Sequence, residues 1–137
     1  MVTRSTTLKT NFFGEGCTFL NKKVYQLTYR EGKMLIYDSD LSNVATVSMP
    51  IEMAEGWGMT NDGKNIIVSD GTNTIFFLNP DTRKINRTIG VTNNGKPLHF
   101  LNELEYVKGF IYANVLPLNI IVKIDPSNGN VVKRYDF

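Results

Sequence analysis

The sequence predicts an all-β protein built from repeated units of four short antiparallel strands. Segments rich in β-branched and aromatic residues alternate with turns of Gly, Asn and Asp, and no stretch carries a helical period of hydrophobic residues. One turn pattern recurs, as Asp38-Ser39-Asp40, Asn79-Pro80-Asp81 and Asp125-Pro126-Ser127. A spacing of roughly 40–50 residues between equivalent turns is typical of the blades of a β-propeller.

Three such units are predicted within a single domain spanning residues 1–137, at about 11–49, 55–91 and 101–137. The strand-like segments of the first unit are 17–20, 24–29, 34–37 and 44–47. Those of the second are 65–68, 74–78 and 85–89, and those of the third are 110–113, 120–124 and 131–135. Residues 1–10 are predicted to be the outermost strand of a preceding blade. The turns between the segments contain Asn-Asp-Gly, Asp-Gly, Asn-Asn-Gly and Asp-Pro-Ser-Asn-Gly sequences.

Composition narrows the function without identifying it. The hydrophobic content of 42% is that of an ordinary globular domain, and 15 basic against 13 acidic residues give a net charge of +2. With no block of basic residues, neither a nucleic acid nor a membrane is expected as a partner. The single cysteine, Cys17, excludes an internal disulfide and a cysteine-based metal site, and its neighbours predict a buried position. Residues 1–10 lack the apolar segment of a signal peptide.

The repeat predicts where the functional site lies. Glu15, Trp57 and Asn102 occupy the same place in the three units, just before the first strand. In a propeller these links lie around the central axis on one face, so the three side chains should converge on one pocket. The residues after the second strands, which are Tyr29, Gly71 and Leu116, should border the same face. Flanking Phe rings are expected to raise the pKa of Glu15 by excluding water, whereas a simple turn glutamate is the alternative.

Six motifs in order resemble the plant and bacterial type of glutaminyl cyclase. The motifs are Phe13-Gly14-Glu15-Gly16, Tyr25-Gln26, Glu55-Gly56-Trp57-Gly58, Ser69-Asp70-Gly71-Thr72, Leu101-Asn102-Glu103-Leu104-Glu105 and Tyr112-Ala113-Asn114-Val115. The resemblance runs from about residue 8 to the C-terminus. It implies a five-bladed propeller, of which about three blades are present here. It also implies an acyltransferase that converts N-terminal glutamine of peptides and proteins to pyroglutamate and ammonia.

The resemblance also assigns roles to individual residues. Glu15 matches the catalytic acid/base, Asn102 a polar group that contacts the reacting atoms, and Trp57 an indole in the pocket wall. Phe13 matches an aromatic residue beside the acid. Tyr29 and Leu116 stand where the family often has Trp, which predicts a reshaped substrate cage. The family's Phe-Thr-Gln-Gly segment and a late lysine have no counterpart in this chain.

No metal and no other cofactor is implied, and the expected partner is a peptide or protein with N-terminal Gln. Three blades leave two apolar end faces, which favour self-association. The resemblance points to the secretory pathway, the extracellular space or the periplasm, although the sequence carries no signal peptide. Two alternatives are open. One is a metal-dependent, lactonase-like propeller with Glu15, Asn102 and Asn114 as oxygen ligands, and the other is a non-catalytic binding propeller or inactive homologue.

Other polar and aromatic residues have structural interpretations. Asp70 is predicted to form a turn, His99 to lie at the surface or at a gate, and Glu105 to have a structural role. Asn114 is expected either to line the pocket or to bond the backbone. The aromatic residues predicted for the core are Tyr37, Phe76 and Phe77.

Overall fold

Three four-stranded antiparallel sheets follow one another along the chain in the computed structural model, which describes residues 1–137, with Asn43 described by its backbone alone. The first sheet contains β1 (Gly14–Leu20), β2 (Lys23–Thr28), β3 (Lys33–Asp38) and β4 (Asn43–Ser48). The second contains β5 (Met59–Asn61), β6 (Ile66–Ser69), β7 (Thr74–Leu78) and β8 (Ile85–Gly90). A small hairpin, β9 (Thr92–Asn93) and β10 (Lys96–Pro97), precedes the third sheet of β11 (Leu101–Val107), β12 (Phe110–Val115), β13 (Ile120–Ile124) and β14 (Val131–Asp136).

The all-β prediction is confirmed. The described residues contain no helix, and therefore none of the length and hydrophobicity that crossing a bilayer requires. Within each four-stranded sheet the strands lie in sequence order, as expected when every connection is a hairpin. The five-bladed closure that the resemblance implies stays a prediction.

The residue types of the turns match the backbone conformations that the turns require. Asn94 and Gly95 connect β9 to β10 with φ values of 52° and 77°. A two-residue hairpin needs positive φ at both positions, which Asn and Gly adopt most readily. Gly63 and Gly129 also have positive φ, at 90° and 80°.

The core consists of two layers, one on each face of the second sheet. One layer includes Leu27, Met34 and Phe76, and the other includes Phe77 and Ile111. Because successive side chains of a strand point to opposite faces, the adjacent Phe76 and Phe77 serve different layers. The prediction that Tyr37, Phe76 and Phe77 are core residues is confirmed, since all three are buried.

The two end sheets differ from the middle one because only one face of each lies against another sheet in the described chain. Cys17 was predicted to be buried, and this is wrong: it is exposed. On β1, Thr18 and Leu20 face the second sheet, so Cys17 and the 59% exposed Phe19 lie on the opposite face. A strand pattern shows which side chains share a face, but it does not show whether that face is covered.

The N-terminal prediction also needs correction. Residues 1–10 form no strand, although a strand was expected there. A strand requires a neighbouring strand for its backbone hydrogen bonds, and within the described chain none pairs with this segment. Instead, residues 6–9 and Phe12 line a cavity with Leu35, Tyr37 and Thr46 on the outer side of the first sheet.

Candidate active site

Irregular pairing in two first strands places two of the predicted site residues. The register of β1 against β2 shifts between Gly14 and Cys17, and that of β11 against β12 shifts between Leu101 and Leu104. Glu15 and Asn102 lie within these shifts. A β-bulge re-aims side chains and is common beside active sites. The same irregularity therefore occurs at equivalent places in the first and third sheets.

Backbone contacts between neighbouring sheets hold these segments together. Gly16 N donates to Trp57 O at 2.9 Å, which joins the Glu15 and Trp57 segments. The Ser69 hydroxyl accepts from Gly58 N at 2.9 Å and donates to Asn102 O at 2.7 Å, which joins the Trp57 and Asn102 segments. Gly58 has no room for a side chain, because a Cβ atom would lie 2.0 Å from Asn102 O.

These contacts bring the predicted residues to one cavity. A cavity of about 270 Å³ is lined by Glu15, Tyr29, Trp57, Asn102 and Leu116. Residues from all three sheets and their links thus meet as the repeat predicts. Their catalytic and binding roles stay predictions.

Phe13 takes a different position from the other predicted residues. It is 64% exposed and is not part of the cavity lining. Its ring centroid lies 6.2 Å from that of Tyr29, and its carbonyl accepts a hydrogen bond from Tyr29 N at 3.0 Å. Phe13 therefore contacts the cavity wall from outside.

The pKa of the Glu15 carboxyl is raised above its ordinary value, as expected. Partial burial is the main cause, and the negative charges of Glu31 and Glu55 add to it. Phe13 is largely exposed, and Phe12 lines the separate cavity on the outer side of the first sheet. The two charges that add to the effect of burial come from other parts of the chain.

The ion pair of Arg30 and Glu55 links two aromatic walls of the cavity. Glu55 Oε2 accepts from Trp57 Nε1 at 2.8 Å, and Glu55 Oε1 accepts from Arg30 Nε at 2.9 Å. Arg30 Nη2 donates to the Tyr29 hydroxyl at 3.2 Å. The hydrogen bond from Trp57 is the main reason that the pKa of Glu55 lies below its ordinary value.

Sequence reasoning did not assign roles to Arg30 and Glu55. The repeat did contain a signal, because Phe13, Glu55 and Phe100 each lie two residues before a landmark. Phe13 and Phe100 make equivalent backbone bonds, accepting from Tyr29 N and Leu116 N at 3.0 Å. The second unit differs from the other two because it has the charged Glu55 where they have Phe.

Asp70 and His99 lie where the sequence predicted, Asn114 takes one of the two places left open for it, and the structural role of Glu105 stays a prediction. Asp70 is buried and accepts from Thr72 N and Ala54 N, both at 3.1 Å, which confirms it as a turn residue. Asn114 Oδ1 accepts from Glu103 N at 2.8 Å, so it bonds the backbone rather than lining the cavity. His99 is exposed, and Glu105 is exposed and outside the cavity lining.

The described side chains contain no group of three or more His, Cys, Asp or Glu residues placed to hold a metal ion. Of the oxygen ligands named for the metal alternative, Glu15 and Asn102 line the cavity and Asn114 does not.

The pKa of the nearby Glu103 carboxyl is raised by burial, then by the charges of Glu15 and Glu105.

Gly71 supports the indole of Trp57 and provides a test of that contact. Its φ is 84°, and a Cβ atom there would lie 2.6 Å from carbon atoms of the indole. We expect Gly71→Ala to destabilise the protein by about 1–3 kcal/mol and to move Trp57. Chemical denaturation and the emission of Trp57, the single tryptophan, measure the two effects.

A matched control separates the contact from the backbone penalty. Gly95 has a similar φ of 77°, and nothing lies within 4 Å of a Cβ atom placed there. We expect Gly95→Ala to incur the backbone penalty alone and to leave the emission unchanged. Equal loss of stability in both variants, with the same emission, would contradict the packing of Trp57 on Gly71.

Comparison with known proteins agrees with the geometry. The family described as glutamine cyclotransferase matches residues 1–137. A glutaminyl-peptide cyclotransferase from Arabidopsis thaliana is 35% identical over 122 residues, which cover 88% of this chain and 38% of that protein. The crystal structure of Myxococcus xanthus glutaminyl cyclase matches with a TM-score of 0.86 at 31% identity.

The matches also show how much of each relative this chain covers and how far its fold is shared. The Myxococcus match covers 93% of this chain and 54% of that chain, so the chain spans about half or less of these relatives. The computationally designed Ika4 protein matches with a TM-score of 0.63 at 10% identity, covering 96% of this chain and 77% of that chain. At that identity the likeness concerns the fold alone. On the match along residues 1–137 and the 35% identical relative, the chain belongs to the glutamine cyclotransferase family.

Proposed function

We propose that this chain contributes the active site of a glutaminyl-peptide cyclotransferase, an acyltransferase. Its substrate is a peptide or protein with N-terminal glutamine, which it converts to pyroglutamate with release of ammonia. The observation that carries the proposal is the cavity in which Glu15, Trp57 and Asn102 meet. Membership of the family supports the same activity.

Both reacting groups of the substrate belong to its first residue. The α-amine nitrogen forms a bond to the carbon of the side-chain carboxamide, and the bond from that carbon to the carboxamide nitrogen breaks. Holding the residue folded brings the two groups together and replaces an encounter by a unimolecular step. A free α-amine has a pKa of about 7.7–8.0, so part of it is neutral at physiological pH. Folding and proton transfer are therefore the main requirements.

Glu15 is assigned the proton transfer. Its carboxylate accepts the proton that the attacking nitrogen loses, and its carboxyl group gives a proton to the departing nitrogen, which leaves as ammonia. A raised pKa brings the group closer to the working pH, where it exchanges protons most effectively. Over one cycle Glu15 returns to its starting state, and the only products are pyroglutamyl peptide and ammonia.

The remaining cavity residues are assigned to stabilising and enclosing the reacting residue. The Asn102 side-chain amide donates to the oxygen on which negative charge develops. Trp57 and Tyr29 provide aromatic walls that exclude water, and Leu116, which is 40% exposed, provides an apolar edge. The family often has Trp at both the Tyr29 and Leu116 positions; Tyr29 keeps an aromatic ring and Leu116 does not, so the opening here is less enclosed on the Leu116 side.

The direct test measures ammonia release and the mass of the peptide together. We expect a Gln-initiated peptide to lose one ammonia when the protein is added. Two matched peptides should not react: an N-acetylated one, whose amine cannot attack, and one that begins with Asn, whose side chain is one carbon shorter. Binding of the Gln peptide without turnover would replace the proposal by a non-catalytic binding protein. Activity lost on chelation would favour a metal-dependent reaction.

We also propose that the outer faces of the end sheets associate with those of a second copy of this chain. Phe19 on the first sheet and Val132 on the third are 59% and 52% exposed. Apolar side chains on open sheet faces favour contact with another surface. Light scattering tests this, because a monomer at all concentrations would contradict self-association.

A further inference from the structure

We propose that the Arg30–Glu55 ion pair is a positioning element that holds both aromatic walls, Tyr29 and Trp57, of the candidate cavity. The inference builds on the proposed function, since it concerns the same cavity. Neither Arg30 nor Glu55 is assigned a contact with substrate. They act through the two aromatic side chains that line the cavity.

The two oxygens of Glu55 have different partners. One accepts from the Trp57 indole at 2.8 Å, and the other accepts from the Arg30 guanidinium at 2.9 Å. An indole has one N–H donor, so a single hydrogen bond selects the orientation of the whole ring. The carboxylate is the charged acceptor that makes this bond short and strong.

Arg30 connects the same carboxylate to the opposite wall. Its guanidinium lies 4.7 Å from the centroid of the Tyr29 ring, and its Nη2 donates to the Tyr29 hydroxyl at 3.2 Å. A guanidinium presents several donors in a fixed plane, so it can bond Glu55 and Tyr29 at once. The Tyr29–Arg30–Glu55–Trp57 chain is therefore continuous from one wall to the other.

Packing alone does not hold this part of the wall. A second cavity of about 380 Å³ adjoins it, lined by Tyr29, Arg30, Gly32, Ser48, Met49, Pro50, Ile51, Met53, Ala54 and Glu55. This space is open to solvent, so few side chains pack against the ion pair on that side. Gly71 contacts the indole ring and the Phe13 ring lies beside that of Tyr29, but neither contact joins the two walls to each other. Hydrogen bonds are therefore needed to fix the two rings relative to each other.

The solvent exposure of the ion pair allows its effect on side-chain position to be measured without loss of the fold. The Arg30 side chain is 70% exposed and that of Glu55 is 24% exposed. Exposed ion pairs contribute little to stability. We therefore expect variants of the pair to keep the fold and to alter the mobility of Trp57.

The test uses the indole N–H signal of Trp57 in a nitrogen–proton correlation spectrum, which is unambiguous because the chain has one tryptophan. Glutamine at position 55 replaces one of the two carboxylate oxygens with an NH2 group, so the donor on that side, Trp57 or Arg30, loses its acceptor. In Glu55→Gln we expect the signal to shift, and its exchange with water to accelerate by about tenfold. We expect kcat/KM on a Gln peptide to fall by about 10²-fold, as a small displacement of a cavity wall can cause.

Two further variants distinguish geometry from charge. Arg30→Lys keeps the positive charge, but an ammonium group lacks the planar fork that reaches Glu55 and Tyr29 together. We therefore expect Arg30→Lys to show the same shifted indole signal and lowered kcat/KM as Arg30→Met, which lacks the charge altogether. Asp136→Asn is the matched control, since it breaks the exposed Arg134–Asp136 pair in the third sheet and should change neither signal nor activity.

Each outcome decides the proposal. If the Trp57 indole signal keeps its position and its exchange rate in Glu55→Gln, the proposed positioning role is overturned. The same holds if Arg30→Lys keeps the signal and the activity of the unmodified protein. If the unmodified protein releases no ammonia from any Gln peptide, the proposed function fails. The spectrum still decides whether the ion pair positions Trp57, because that readout does not require turnover.

Discussion

Glu15→Gln is expected to slow the cyclisation of Gln peptides by about 10²–10⁴-fold, the usual contribution of a positioned acid/base group. Glutamine keeps the size of the side chain and removes the group that exchanges protons. The fold should tolerate this change because burial and the charges of Glu31 and Glu55 already disfavour the ionised form of Glu15. Ammonia release at saturating peptide, compared with the unmodified protein, measures the effect.

The same substitution has an expected signature in stability. A carboxyl whose pKa is raised by folding binds its proton more tightly in the folded state, so its contribution to stability falls as pH rises through that pKa. At neutral pH Glu15→Gln removes this penalty, and the free energy of unfolding should be equal or higher. The gain should disappear in acid, below the ordinary value of 4.5. Denaturation at neutral and acid pH provides the comparison.

Glu105→Gln is the control for Glu15. It makes the same chemical change in an exposed glutamate that does not line the cavity. We expect normal cyclisation from this variant. Normal turnover by Glu15→Gln, or equal losses in both variants, would remove Glu15 from the mechanism.

The second large effect is expected from Asn102→Ala, which should lower kcat by about 10²–10³-fold, the usual cost of losing one oxyanion donor. The donor acts on charge that appears only in the transition state, so KM should change little. The backbone at this position should stay in place because the Asn102 carbonyl accepts from the Ser69 hydroxyl independently of the side chain.

Steady-state kinetics separates this role from ordinary substrate binding. Asn86→Ala is the control, because Asn86 is exposed and bonds Asn65 at 2.8 Å within the second sheet. It should leave both constants unchanged. A rise in KM with kcat preserved in Asn102→Ala would assign Asn102 to binding the ground state instead.

The sequence alone determined the class of fold and the repeat, because strand alternation and turn chemistry are local. The backbone preferences of Asn94 and Gly95 predict a tight hairpin. Phe76 and Phe77 are adjacent in a strand, so their side chains point to opposite faces of the sheet. The landmark positions of Glu15, Trp57 and Asn102 also followed from spacing. The family resemblance read from six motifs is confirmed by the family match.

The tertiary structure alone decided which faces are covered and which charges meet. Cys17 is exposed because nothing in the described chain covers its side of β1, and no local pattern records that. The pKa of Glu15 is raised by burial and then by the charges of Glu31 and Glu55, and the Trp57 indole donates a hydrogen bond to Glu55. These contacts join positions that are separated in the chain, so they exist only after the sheets have packed.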